Sequence, residues 1–146
     1  MKKLTIIGRI DKIDLPDLGL FDIECKIDTG AYGNALHCHH IQVLEIDGVQ
    51  TLSFRVLDPS HPEYADKTYY AKNFSKKAVK SSSGASEDRY IIKTSMILFG
   101  KKRLVSFSLT DRANMRFPIL IGRKFLTKRF LVDVEKKDLS FKIKNA

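Results

Sequence analysis

With 146 residues, 43% of them hydrophobic, the chain has the size and composition of one globular domain, so residues 1–146 are read as a single unit. Its 26 Lys and Arg against 17 Asp and Glu leave a net charge of +9, which favours anionic partners. No apolar run is long enough to cross a bilayer and no basic amphipathic helix is visible, which argues against a membrane partner.

Met1-Lys2-Lys3-Leu4-Thr5-Ile6-Ile7 is basic and then briefly apolar, and Gly8-Arg9 interrupts it too early for a signal peptide. It reads as a first strand of a cytoplasmic protein. In that compartment Cys25 and Cys38 are expected to stay as free thiols. Leu4 to Leu15 predicts one or two strands closed by the turn Pro16-Asp17-Leu18-Gly19, and the alternation from Phe21 to Ile27 predicts a half-buried strand. That strand ends on Asp28-Thr29-Gly30, where glycine permits a sharp turn. Ala35 to Cys38 resumes as a strand. Ile41–Ile46 and Gln50–Leu57 alternate on either side of Asp47-Gly48 and predict a hairpin. Asp58 to Asp66 is a proline-bearing loop. Lys67 to Lys80 interleaves Tyr69, Tyr70 and Phe74 with lysines, and a serine-rich turn separates it from a strand over Arg89–Leu98. After the turn at Phe99-Gly100, strands follow at Leu104–Leu109 and Phe117–Ile121, then a short helix over Arg123–Lys128. Two last strands are expected, Phe130–Val134 and Leu139–Ile143. Gly122 marks a place where something packs too close for a side chain. Short strands punctuated by turns, with one brief helix, predict an all-β, closed or half-closed barrel.

Asp28 is the candidate for chemistry. A lone Asp-Thr-Gly also occurs in plain turns, where the aspartate only braces the backbone. Peptide hydrolysis by aspartates needs two carboxylates that share a proton. The chain has one such motif: Asp111 and Asp133 are not followed by glycine. An aspartate pair therefore requires a second copy of the chain across a two-fold axis.

Asp28-Thr29-Gly30-Ala31 followed by Leu120-Ile121-Gly122-Arg123 resembles the motif pair of retropepsin-like aspartic proteases. Further blocks lie in the expected order: Pro16-Asp17-Leu18-Gly19, Ala35-Leu36-His37, Val79 to Gly84, Glu87 to Tyr90, Leu109 to Arg112, Met115-Arg116-Phe117 and Arg129 to Asp133. Together they resemble the bacterial family labelled ATP-dependent zinc proteases, whose members sit near ATP-grasp ligases that add glutamates to proteins. The resemblance implies a retropepsin-like barrel active as a symmetric homodimer. It implies that Asp28 is catalytic, that Thr29 braces two loops against each other, and that Gly30, with Ala31 beside it, admits substrate main chain. Ile119, Leu120 and Ile121 would wall the aspartate in. Ser83 and Gly84 are candidates for a covering flap. Arg89, Arg112, Arg116 and Arg123, with the net charge, suggest an acidic or glutamylated peptide or protein substrate. Where viral relatives place an acid two residues after the glycine this chain has Tyr32, so Glu87 or Asp133 are candidate partners for Arg123.

Other readings compete. His37, Cys38, His39 and His40 are potential zinc ligands, but successive strand residues point to opposite faces, and a polar strand end is the default. No phosphate-binding Gly-x-x-x-x-Gly-Lys loop is present, so no cofactor is expected. The Lys67–Lys80 stretch fits a nucleic-acid-binding module as well as it fits an exposed edge strand. A non-catalytic partner of a glutamate ligase is the third alternative.

Overall fold

The computed structural model describes residues 3–80, 84–111 and 116–146. Alternating polarity builds its strands. In β3 (Leu20–Ile27) Ile23, Cys25 and Ile27 are buried while Asp22, Glu24 and Lys26 face water. The same alternation buries Val105, Phe107 and Leu109 in β9 (Lys101–Thr110). With β2 (Ile10–Leu15), β4 (Ala35–Ile46), β8 (Ser86–Leu98) and β10 (Ile119–Ile121), these strands close on themselves in the order β10, β3, β2, β8, β9, β4 and back to β10. The chain is therefore mostly β with a ring-like sheet, a closed barrel. The thinnest seam is β2 to β8, a single bridge from Asp14 to Ile97. Phe54, Phe107, Ile13, Leu15 and Met96 fill the interior, each contributing roughly 1.5–3 kcal/mol on burial.

Additions hang on this ring. β5 (Val49–Val56) pairs with β4 through the turn at Asp47 and Gly48, whose φ angles of 50° and 78° suit a two-residue hairpin. Ala35–Cys38 and Ile41–Ile46 are one strand, not two, because a bulge with His40 at φ 51° lets β4 bend out of the ring and run on. β6 (Tyr69–Ala71) edges β5. β7 (Ser75–Lys80) pairs with the first half of β8, Lys80 opposite Ser86. β1 (Thr5–Ile7) leaves the barrel and forms a separate parallel pair with β11 (Phe130–Val132).

One expected strand is a helix. Leu139–Ile143 belongs to α2 (Leu139–Lys144). The reason lies far away in sequence, at Asp11 of β2, whose side chain accepts the amide hydrogens of Ser140 at 2.9 Å and Phe141 at 3.1 Å. These are free donors of the first helical turn, and the buried carboxylate satisfies them as a cap would. Burial pushes the Asp11 pKa up even against those bonds. The other helix, α1 (Arg123–Leu126), is where the sequence placed it and slightly shorter. Cys25 and Cys38 are free and buried, and burial raises the pKa of both thiols. No helix among the described residues is long and apolar enough to cross a membrane.

Candidate active site

Strand β10 lies between β3, with which it runs parallel, and β4, with which it is antiparallel. The loop from Asp28 to Asn34 joins those two flanking strands and so must pass over the end of β10. Asp28 is tied to it directly, its amide donating to the Ile121 carbonyl at 2.8 Å. The carboxylate is half-buried, and Oδ1 accepts the Gly30 amide at 3.0 Å. Gly30 has no left-handed φ; a Cβ there would instead stand 3.2 Å from Asp28 Oδ1. The chain does turn here, the Ala31 amide donating to the Asp28 carbonyl at 3.2 Å, and the glycine also keeps room for the carboxylate. Ile119 and Ile121 are buried beneath the loop and Leu120 is half-buried.

The start of α1 holds the loop from the other side. Free amides at a helix start need acceptors, and here the Arg123 amide donates to Ala31 O and the Lys124 amide to Tyr32 O, both at 2.8 Å. The Arg123 guanidinium donates to the Thr29 carbonyl at 3.0 Å and lies 5.9 Å from the Tyr32 ring centre. Neither acid suggested for Arg123 reaches it: Glu87 pairs with Arg89 at 2.7 Å, and Asp133 accepts the Glu135 amide at 3.0 Å. A backbone carbonyl and an aromatic face stand in for the missing acid. Gly122 is where the two segments touch. A Cβ there would fall 2.7 Å from Tyr32 O and 2.8 Å from Gly33 C, so the expectation of a close approach holds.

The sequence reading missed Asn34. It is buried; its Oδ1 accepts the Gly122 amide at 2.9 Å, its Nδ2 donates to Ser106 O at 3.0 Å, and its own carbonyl accepts from Ser108. One side chain thereby fixes the loop to α1 and to β9. No periodicity announces an asparagine of this kind; the only cue is a polar residue directly before an apolar strand.

The remaining candidates are more dispersed. Gly84, at φ 86°, is in the β7–β8 connection, while Ser83 and Arg112 lie outside the described residues. Arg89 is in β8, paired with Glu87, and Arg116 is exposed over the Phe117 ring. The histidines are joints of the scaffold. His37 is buried, with Nε2 2.7 Å from Asp58 and Nδ1 3.8 Å from Asp111. His39 Nδ1 is 2.6 Å from the Leu57 carbonyl. Among the described residues no three His, Cys, Asp or Glu side chains gather as metal ligands. Of the aromatics near the lysines, Tyr69 donates to Leu18 O and stacks on Phe54, and Phe74 packs edge-on against Tyr90. Tyr70 alone of the three is exposed.

A family model described as retropepsin-like aspartic endopeptidase RimB matches residues 6–142. The chain belongs to this RimB-like family. Two curated relatives are each named "Probable alpha-L-glutamate ligase". The one from Parasynechococcus marenigrum is 31% identical over 139 residues, covering 92% of this chain and 29% of the relative. The one from Desulfotalea psychrophila is 32% identical over 132 residues, covering 88% and 28%. The chain spans less than a third of the length of these relatives. A crystal structure of Lpg0085, a Legionella pneumophila protein of unknown function, superposes with a TM-score of 0.72 at 24% identity, covering 94% of this chain and 99% of that one. That likeness concerns the fold. The RimB-like assignment places the chain within a retropepsin-like family, and its sequence carries one Asp-Thr-Gly, at Asp28.

Proposed function

We propose that this chain is half of an aspartic peptidase, in which Asp28 from each of two identical copies forms the catalytic pair. The observation that carries the reading is the clamped loop: one carboxylate, oriented by the Gly30 amide and held between β10 and the start of α1. In the assembled pair one ionised aspartate takes a proton from the water that attacks the scissile carbonyl. The protonated mate donates to the carbonyl oxygen, and a proton then passes to the leaving nitrogen. Thr29 is exposed beside Asp28, placed to meet its counterpart, and Gly30 leaves space for substrate main chain. Support for the dimer also comes from the detached β1–β11 pair, where Ile6 and Leu131 stand opposite each other, 46% and 54% exposed.

The substrate fits best as an acidic or glutamylated peptide. Lys76, Lys77 and Lys80 line β7, and the β7–β8 connection containing Ser83 and Gly84 is our candidate flap. Lys76 pairs with Asp88 and Arg89 with Glu87, whereas Lys77 and Lys80 of β7 form no ion pair among the described residues. Relatives that carry this segment within much longer chains are named as glutamate ligases, which supports a functional link to an enzyme that adds glutamate. The same relatives favour a second reading, a non-catalytic partner of such a ligase. Peptides with and without a glutamate tail, incubated with wild type and Asp28→Asn, separate the two. Cleavage of the tailed peptide by wild type alone supports the peptidase; wild-type inactivity on both, with the fold intact, supports the scaffold.

A further inference from the structure

Away from the Asp28 loop, four cations converge without a counter-charge among the described residues. Lys3, Lys101, Arg103 and Arg129, with the rings of Phe99 and Phe130, line a cavity of about 260 Å³. The two arginines share one aromatic platform. Arg103 lies 5.6 Å from the Phe125 ring centre and 5.9 Å from that of Phe130, and Arg129 lies 5.1 Å from Phe125. Arg129 is partly engaged, donating to the Phe125 carbonyl at 2.8 Å. Arg103 is different: its Nη1 is buried and meets no acceptor among the described residues. None of the four forms an ion pair among those residues.

A guanidinium with one buried, unpartnered nitrogen beside a like charge is costly, and both causes act here. Burial and the neighbouring Arg129 charge hold the Arg103 pKa below its ordinary value. A structure keeps such a group when something pairs with it, and a planar N–H fork suits an oxyanion better than any neutral ligand. The site is separate from the catalytic loop, since Arg103 is in β9 and Arg129 follows α1, whereas the Asp28 loop meets the first residues of that helix.

We infer that this cavity binds a compact oxyanion bearing two or more negative charges, a phosphate group or a pair of neighbouring carboxylates, with Arg103 as the innermost ligand and Lys3 and Lys101 at the mouth. The inference is independent of the peptidase reading. Calorimetric titration of the full chain with pyrophosphate and with tri-glutamate, at matched ionic strength, tests it. Saturable binding of one equivalent per chain is expected for at least one of them. Tighter pyrophosphate identifies a phosphate source, and tighter tri-glutamate a carboxylate source. Arg103→Met should weaken the favoured ligand about tenfold or more, the loss of a charge-assisted fork. Lys101→Ala, a surface change that leaves the core alone, should weaken it about threefold. Absence of saturation for both ligands, or an affinity in Lys101→Ala and Arg103→Met within twofold of wild type, would overturn the assignment.

Discussion

Replacing Gly122 by alanine tests whether the Asp28 loop is held by close backbone contact with the start of α1. The new methyl would lie 2.7 Å from Tyr32 O and 2.8 Å from Gly33 C, and these are main-chain atoms that cannot swing aside. The loop must therefore move, at an overpacking cost of about 1–3 kcal/mol. Moving it stretches three bonds: Gly122 N to Asn34 Oδ1 at 2.9 Å, and the Arg123 and Lys124 amides to Ala31 and Tyr32 at 2.8 Å. At about 1 kcal/mol per weakened bond, the total destabilisation is roughly 4–6 kcal/mol. A domain with an ordinary stability of about 5–15 kcal/mol still folds with that loss in most of the range, so the value is measurable. Gly33→Ala is the control, because a Cβ there meets nothing within 4 Å and its φ is not left-handed. It should stay within about 0.5 kcal/mol of wild type. Urea unfolding followed by circular dichroism gives both values. A Gly122→Ala change below about 1 kcal/mol, or a Gly33→Ala change as large as it, would refute the reasoning.

Three further outcomes follow from the same contacts. Asn34→Ala should cost about 2–3 kcal/mol, since it strands the Gly122 amide and removes the bond to Ser106; in a double-mutant cycle with Gly122→Ala, the double mutant should lose less than the sum of the two single losses, because both act on one bond. Asp11→Ala should lower stability by about 1–2 kcal/mol and speed amide exchange across residues 139–144 ahead of the barrel strands, because Ser140 and Phe141 lose their acceptor. Asp58 has its pKa held below the ordinary 3.8, chiefly by the Ser60 hydroxyl and amide and also by His37. Its contribution is complete above the unfolded-state pKa and is lost as pH falls through the lower folded value, so wild-type stability should drop below about pH 4 and Asp58→Asn should flatten that part of the curve.

What the sequence disclosed and what it hid follow from the range of the forces involved. The strands around Asp28, the Asp47-Gly48 hairpin and the close approach at Gly122 all rest on local pattern or on residues with one physical use, and the structure has them there. The apolar residues of Leu139–Ile143 alternate like those of a strand, yet the segment is helical, and what decides it is the Asp11 carboxylate more than a hundred positions away. Asn34 and the Arg103 cavity were invisible for the same reason: their meaning lies in partners on β9, α1 and β11 that no spacing rule links. Arg123 is legible as part of the motif, yet its carbonyl and ring partners lie on residues 94 and 91 positions away and show only in three dimensions.

Subunit mixing measures the central claim most directly. Wild-type chains are allowed to exchange with an equal amount of Asp28→Asn chains, and cleavage of a glutamate-tailed peptide is compared with that of the same wild-type chains alone. If each site needs an Asp28 from both copies, random pairing leaves about one quarter of the dimers with two aspartates, and activity falls to about half that of the unmixed wild type. Activity unchanged by the mutant chains, or no cleavage by wild type at any concentration, would contradict the account.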